Sequence, residues 1–317
     1  MSVINNANPG SHIASLIFID RLLIRRIKKG VPEYLTFEDI LDKYRPDYLF
    51  RAETKEDNGD FKFMENPYKK LRESLNFWSD LGLWERSNDK IRAKDTNASE
   101  LNLPTRLCEC IFDKKVDVID GNGIEPLIRS MALFLSLGQY TLVGNKPFKS
   151  TDISSIASKY FPSVSENQTR LSINNSDSPV LTGYGLFLGF FERLDKSHFT
   201  VDPTRLLKPF IQKVLSKETA RDWLSINEFL IALSEEIPVV DGGEYRITVE
   251  KLIEKKQSEW TKQQSHQISA SLSIALHRLK VDRTIKLDNK SDSESAMDMV
   301  LPGNTVEPIS HIKLGDM

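Results

Sequence analysis

Cysteine is nearly missing from this sequence of 317 residues, which contains only Cys108 and Cys110. A disulfide that joined the two across one intervening residue would be strained, and no second pair of ligands is present to complete a zinc site. We therefore expect both side chains to pack as small apolar groups. Poverty in cysteine is typical of proteins in a reducing compartment, so we predict a cytoplasmic protein.

Long apolar runs and an excess of one charge are missing too. The apolar stretch that follows the polar residues 2–11 is interrupted by Asp20 and Arg21, which makes it too short and too charged for a signal peptide or a membrane span. The 43 basic and 45 acidic residues give a formal net charge of -2. We predict no membrane partner, and any contact with nucleic acid must come from a local basic patch.

Catalytic motifs are the third absence. The sequence has no glycine-rich phosphate loop, no nucleophile elbow and no zinc-binding His-Glu-x-x-His. Residues 120–123 read as a turn, because a calcium loop needs spaced acidic ligands and a closing glutamate. The five histidines have no metal-ligand spacing. We predict that the protein is not an enzyme and has no catalytic residue, no metal, no cofactor and no evident small-molecule ligand.

The first third of the chain carries the signals of three helices and a hairpin, the order of a winged helix. Residues 12–29 have apolar side chains at helical spacing. Thr36 is a candidate cap of a second helix, Pro67 suits the first turn of a third, and Gly82 ends it. Residues 83–93 then alternate as a short β-hairpin, the wing.

This order recurs along the chain, so we predict a mainly α fold with short β-hairpins (α+β) made of tandem winged-helix domains. A single copy would be weak evidence, because many small α+β domains share the order. A hairpin is expected around Asp241-Gly242-Gly243, and another is expected to pair residues 285–287 with residues 297–301. The predicted divisions are winged-helix domain 1 at 1–104, winged-helix domain 2 at 105–203, a divergent helical and hairpin unit at 204–256, a C-terminal winged-helix unit at 257–303 that shares the preceding helix, and a flexible tail at 304–317.

Binding of duplex DNA requires Lys or Arg near phosphates and a helix N-terminus in the major groove. Candidate residues occur in the first and last domains, although solvated surface charge is the ordinary alternative for each of them. They are Tyr68, Lys69, Lys70, Arg72 and Asn76 on the third helix, Arg86, Lys90 and Arg92 on the wing, Arg25 and Arg26 on the first helix, and Arg278, Lys280 and Arg283 in the last domain. The last wing also carries Asp288, Asp292 and Glu294, which phosphate would repel.

Three segments carry a resemblance to a known family: residues 11–29, residues 238–246 and residues 272–287. In these segments the chain resembles DpdG, an accessory protein of bacterial phage-defence clusters that insert 7-deazaguanine derivatives into DNA. The resemblance covers most of the chain and implies a role in restricting foreign DNA beside helicase and nuclease partners, without catalysis by this subunit. It carries over no functional residue.

Two functions therefore stay open. The chain is either a non-enzymatic subunit that binds or bridges DNA in a prokaryotic anti-phage defence complex, or a pure adaptor whose winged helices pack on an ATPase or helicase partner. The basic first domain favours the former, whereas the near-neutral charge and the acidic last wing favour the latter. The predicted partners are double-stranded DNA and protein components of a defence complex, such as a helicase or a nuclease.

Overall fold

The computed structural model describes residues 2–5, 7–43, 51–55, 61–63, 67–113, 119–166, 168–217, 223–290 and 296–315, with backbone only at 9, 41–42, 51–55, 61–63 and 67–70. Over these residues the chain is a mixed α+β protein with eleven α-helices and several small, mostly antiparallel sheets. It divides into a first unit, Asn6–Lys114, and a second unit that joins Met1–Asn5 to Lys115–Met317. The α+β class predicted from the sequence is thus confirmed.

The first unit begins with a helix that is shorter than predicted. Its elements are α1 (Ile13–Ile24), β1 (Ile27–Lys28), β2 (Val31–Pro32), β3 (Leu35–Thr36), α2 (Phe37–Lys43), β4 (Arg51–Lys55), β5 (Phe61–Phe63), α3 (Pro67–Asp80), β6 (Trp84–Ser87), β7 (Lys90–Ala93) and α4 (Leu103–Asp113). Helix α1 stops at Ile24 because the chain turns back at Lys29 and Gly30, both at positive φ, and β1 pairs with β2. The start of α3 at Pro67 and the hairpin β6–β7 are as predicted.

The second unit opens with residues 2–5, which we had predicted to belong to the first domain. Val3 N donates to Gly123 O at 2.6 Å, and the side chains of Val3 and Ile4 are buried. The following elements are α5 (Glu125–Ser136), β8 (Phe148–Lys149), α6 (Ile153–Tyr160), α7 (Ser178–Leu188), β9 (Phe191–Arg193) and β10 (His198–Val201). Helix α7 ends at Gly189, whose φ of 87° is the left-handed conformation that glycine adopts without strain.

The last third of the chain corrects several predictions. Its elements are α8 (Thr204–Lys217), β11 (Leu224–Ser225), α9 (Ile226–Glu236), α10 (Glu244–Lys256), β12 (Gln267–Ile268), α11 (Ala270–Val281), β13 (Ile285–Asp288), β14 (Met297–Leu301), β15 (Thr305–Ile309) and β16 (His311–Leu314). The hairpin expected around residues 241–243 is wrong, because Gly243 is the N-cap of helix α10.

The expected pairing of residues 285–287 with 297–301 is wrong as well. Strand β13 pairs with β16, and β14 pairs with β12 and β15. The segment predicted as a flexible tail from residue 304 supplies β15 and β16, and Ile309 and Ile312 are buried in the core. Sequence inspection missed these strands because few of their other side chains are apolar.

One arrangement occurs three times within the described residues: helix, short strand, helix, helix, hairpin. We call the copies repeat 1 (α1, β3, α2, α3, β6 and β7), repeat 2 (α5, β8, α6, α7, β9 and β10) and repeat 3 (α8, β11, α9, α11, β13 and β16). In each repeat the short strand pairs antiparallel with the last hairpin strand, giving sheet orders β3-β7-β6, β8-β10-β9 and β11-β16-β13. Repeat 1 has two insertions, β1 with β2 before β3, and β4 with β5 before α3. Repeat 3 also has two, α10 with β12 before α11, and β14 with β15 between the hairpin strands.

The second helix of each repeat also begins with the same hydrogen bond. A carboxylate accepts a hydrogen bond from the backbone N–H three residues earlier, at the end of the short strand, and this geometry is one half of a capping box. The donor and acceptor pairs are Thr36 and Asp39 (3.0 Å), Lys149 and Asp152 (2.8 Å), and Ser225 and Glu228 (3.4 Å). Thr36 Oγ1 in turn accepts from Asp39 N at 3.1 Å, so the predicted cap at Thr36 is confirmed.

Candidate nucleic-acid interface

The candidate surface of repeat 1 is formed by α3 and its hairpin. Leu71, Leu75 and Trp78 are buried on one side of α3, which fixes the orientation of the helix. The exposed Arg72 guanidinium lies 4.4 Å from the centroid of the Phe37 ring. The side chains of Tyr68, Lys69 and Lys70 lie outside the described residues, but their backbone forms the first turn of α3.

A polar contact ties the hairpin to this helix. Arg86 Nη1 donates to Asn76 Oδ1 at 2.7 Å, and Arg86 Nε donates to the Asn88 carbonyl at 2.9 Å. Lys90, at the start of β7, is exposed. The helix and the tip of the hairpin therefore present Arg72, Arg86 and Lys90 from connected elements of one repeat.

Arg92, the third candidate on the hairpin, is engaged within the protein. Its guanidinium forms a bidentate pair with Glu85 across the strands, at 2.8–2.9 Å, and lies 4.6 Å from the centroid of the Tyr34 ring. Hydrogen bonds from the Tyr34 hydroxyl (2.7 Å) and from Arg92 hold the pKa of Glu85 below its ordinary value. A phosphate would have to compete with this pair. Arg92 is therefore better placed to stabilise the hairpin than to contact DNA.

A buried ion pair fixes the other side of the hairpin. The Asp20 carboxylate accepts hydrogen bonds from Arg106 at 2.6 and 3.1 Å and from Trp84 Nε1 at 2.9 Å. Both charged side chains are at least nine-tenths buried. Because the three residues belong to α1, β6 and α4, the network joins the hairpin to two helices, and it explains why the unit extends to Lys114 and not to the predicted boundary at 104.

The candidates at the end of α1 are partly neutralised. Arg25, which is exposed, lies 3.7 Å from Glu100, and its neighbour Arg21 lies 2.9 Å from the same carboxylate. Arg26 is half-buried. This cluster is therefore less basic than its sequence indicates.

The candidates of repeat 3 are mostly engaged as well. Arg278 binds Glu192 at 2.8 Å and the fully buried Asp202, and these hydrogen bonds raise the pKa of the guanidinium. Lys280 pairs with Glu307. Arg283 is exposed just after α11, in the left-handed conformation with a φ of 63°.

The three helices that precede the hairpins thus differ in charge. The eleven residues of α7 include no charged side chain, and α11 carries cations only in its last turn, where Arg278 and Lys280 are paired. Helix α3 alone of the three has Lys in its first turn. Only repeat 1 combines a basic helix start with exposed cations on its hairpin.

Residues 120–123 form a loop with Gly121 and Gly123 at positive φ, and the loop has a structural partner. Gly121 N donates to the buried Glu125 carboxylate at 2.9 Å, and burial raises the pKa of Glu125. Cys108 is buried, which raises the pKa of its thiol. No group of three or more His, Cys, Asp and Glu side chains in the described parts of the chain is placed to hold a metal ion.

None of the helices in the described ranges has the length and apolar character needed to cross a bilayer. A family model described as DpdG-like matches residues 1–293. No curated protein and no solved structure matches the chain.

Proposed function

The chain belongs to the DpdG-like family, which is associated with the Dpd DNA-modification and defence cluster, and on this basis we propose that it is a non-enzymatic subunit that binds duplex DNA through repeat 1. The observation that carries the proposal is the basic start of α3 beside the exposed cations of the β6–β7 hairpin. The other two repeats lack this combination.

We interpret the three repeats as winged-helix units. Each repeat has three helices followed by a hairpin, which is the order of elements in a winged helix. The short strand after the first helix pairs with the last strand of the hairpin, as in that fold. In this interpretation α3, α7 and α11 occupy the position of the recognition helix, and the hairpins are the wings. The recurrence of one sheet order in three repeats supports the assignment more strongly than any single copy.

The electrostatics of α3 favour an anion at its start. The unpaired N–H groups of the first turn and the helix dipole attract phosphate, and Lys69 and Lys70 add positive charge in the same turn. Arg86 and Lys90 would then meet the backbone beside the groove, as a wing does. Since Arg86 is also bonded to Asn76, its contact with phosphate would be coupled to the position of the helix.

The test is anisotropy of a labelled duplex at about 50 and 200 mM salt. The variant Lys69→Ala/Lys70→Ala/Arg72→Ala should bind more weakly than the wild type. Its log–log salt slope should be shallower by about 0.9 for each phosphate contact that is lost. Unchanged affinity and slope would exclude α3 as the contact.

The matched control removes three exposed lysines from another helix, α10. The variant Lys251→Ala/Lys255→Ala/Lys256→Ala changes the net charge equally and should retain the wild-type affinity. If both triple variants lose affinity alike, binding depends on overall charge and not on α3.

The second candidate function is that of an adaptor. It is favoured by α7, which has no charge to offer to DNA, and by the paired cations of α11. Under this alternative the second unit contacts protein components of the complex, such as a helicase or a nuclease, and wild-type protein gives no anisotropy change at either salt concentration.

A further inference from the structure

One backbone feature aligns the three repeats. The turn that follows the third helix contains a residue in the left-handed conformation in each of them: Gly82 (φ 93°), Gly189 (φ 87°) and Arg283 (φ 63°). Each of these residues lies two positions before the first strand of its hairpin, which is β6, β9 or β13. Counting back from this residue along the third helix therefore compares equivalent positions of α3, α7 and α11.

Ten positions before this residue, the side chains of the repeats differ in charge and burial. The equivalent residues are Arg72, Pro179 and Ser273. Ser273 is fully buried and donates a hydrogen bond to the Ile268 carbonyl at 3.2 Å, and the Pro179 side chain has no donor. Repeat 1 alone among the three has an exposed cation at this position.

A buried aromatic ring supports the Arg72 side chain. Phe37, the first residue of α2, is buried, and Arg72 Cζ lies 4.4 Å from the centroid of its ring, within the range of a cation–π contact. The equivalent residues of the other repeats, which also follow the backbone donor at the end of the short strand, are Ser150 and Ile226. The pairing of an exposed guanidinium with a fixed ring is therefore a property of repeat 1.

The Arg72 guanidinium keeps its hydrogen-bonding capacity. Among the described residues, none accepts a hydrogen bond from it, whereas the guanidinium of Arg92 is bonded to Glu85. Attraction to the face of a ring is electrostatic and uses no N–H donor. A guanidinium that the ring already holds in place also has less side-chain freedom to lose when it binds.

The place of Arg72 along α3 suits a base edge. Arg72 is the sixth residue of the helix, about 7.5 Å along the axis from Pro67, whereas Lys69 and Lys70 belong to the first turn. In helix-turn-helix proteins the N-terminal residues of the recognition helix contact base edges in the major groove. The planar fork of an arginine matches the two major-groove acceptors of guanine, O6 and N7, and this pair is the commonest specific contact there.

We propose that Arg72, positioned by Phe37, binds the O6 and N7 atoms of a guanine in the major groove and gives repeat 1 a sequence preference. The inference rests on the DNA-binding role proposed for repeat 1 and adds the class of substrate, a duplex with guanine at a fixed position. Lys69 and Lys70 then supply phosphate contacts, which do not depend on sequence. Phe37 is a positioning residue, because it acts through the guanidinium.

The experiment selects the duplexes that bind the full chain from a pool with a randomised segment. The wild type should enrich guanine at one position, and adenine in its place should weaken binding by about 5- to 150-fold, the contribution of one bidentate pair. Inosine keeps O6 and N7 and lacks only the minor-groove amino group, so it should bind as guanine does. Equal affinity for guanine and adenine, or an inosine duplex as weak as the adenine duplex, would overturn the proposal.

Arg72→Lys separates a base contact from a phosphate contact. It keeps the charge but loses the fork, so the preference for guanine should disappear while the salt slope stays that of the wild type. The matched control is Arg193→Lys in repeat 2, an exposed arginine 5.7 Å from the centroid of the Phe199 ring, and it should keep the preference. An Arg72→Lys variant that still discriminates guanine from adenine would contradict the assignment.

Phe37→Leu tests the positioning role. It keeps an apolar side chain and removes the ring face, so it should reduce the preference for guanine over adenine. A purely structural role would weaken binding to both duplexes by the same factor, and that result would exclude Phe37 as a positioning residue.

The further inference and the proposed function can fail separately. If the wild type binds duplex DNA but enriches no guanine, the inference is excluded while the DNA-binding role of repeat 1 stands. If the wild type binds no duplex from the pool, both are excluded.

Discussion

Removing the Asp20 carboxylate should destabilise the first unit severely. In the native protein this carboxylate accepts two hydrogen bonds from Arg106 and one from Trp84 Nε1. The substitution Asp20→Ala leaves the guanidinium charge in a site that is nine-tenths buried, with its main partner gone. The hairpin also loses its hydrogen bond to α1.

The size of this destabilisation follows from the burial of the Asp20–Arg106 ion pair. Breaking a buried ion pair by removing one partner costs about 3–5 kcal/mol. Arg106 keeps two other partners, the Ser99 carbonyl at 3.3 Å and Asn102 Oδ1 at 2.9 Å. We therefore expect Asp20→Ala to reduce the free energy of unfolding by about 3 kcal/mol, at the lower end of that range.

The assay must report on the first unit alone, because a chain of two units need not unfold in a single transition. Trp78 and Trp84 belong to this unit, whereas Trp223 and Trp260 belong to the other. In a Trp223→Phe/Trp260→Phe background, emission during urea unfolding follows the first unit. The midpoint should fall in Asp20→Ala, with an unchanged slope of free energy against urea.

The double variant Asp20→Ala/Arg106→Ala separates an ion pair from simple loss of packing. With neither charge left alone, its cost should be smaller than the sum of the two single costs, by about 0.5–3 kcal/mol. Costs that add without such coupling, or an Asp20→Ala midpoint equal to that of the parent, would refute the reasoning.

Two further predictions concern packing. Trp78 is fully buried and makes an edge contact with Phe77, so Trp78→Ala should lower the free energy of unfolding by about 3–5 kcal/mol. A loss of about 1 kcal/mol lowers the thermal midpoint by several degrees. A midpoint within about a degree of the wild type would therefore show that Trp78 is not part of the core. A Cβ at Gly185 would overlap the buried Phe191 ring. Gly185→Ala should therefore cost about 1–3 kcal/mol of overpacking, which exceeds the gain of about 1 kcal/mol in helix propensity. A thermal midpoint of Gly185→Ala above that of the wild type, measured by calorimetry, would contradict this prediction.

Local signals in the sequence were sufficient for the start of α3 and for the hairpin β6–β7. Apolar spacing, the cap at Thr36 and the proline at the start of α3 depend on neighbours within a few residues, so they can be read without a fold. The short strands β3, β8 and β11 could not be found in this way. Each has only two residues and is defined by its partner in the hairpin, far along the chain.

The same limit explains the errors in the last third. The run Asp241-Gly242-Gly243 is a strong turn signal, but the residues after it continue as α10, which packs on α5. Helix α10 and the β14–β15 hairpin separate the elements of repeat 3, so a linear search divided one repeat into two units. The buried positions of Ile309 and Ile312 emerge only once β15 pairs with β14 and β16 is inserted between β11 and β13.

Charge was the feature that sequence predicted least well, because a cation is available to DNA only if the fold leaves it without a stronger partner. Arg278 and Lys208 both form ion pairs inside the second unit. Arg278 pairs with Asp202 and Glu192, and Lys208 pairs with Asp282. The Arg278 pairs join repeat 3 to repeat 2, the Lys208 pair lies within repeat 3, and both remove cations from a possible interface. A repeat of this kind therefore has to be assigned to DNA or to protein from its ion pairs, and a count of its lysines and arginines is not enough.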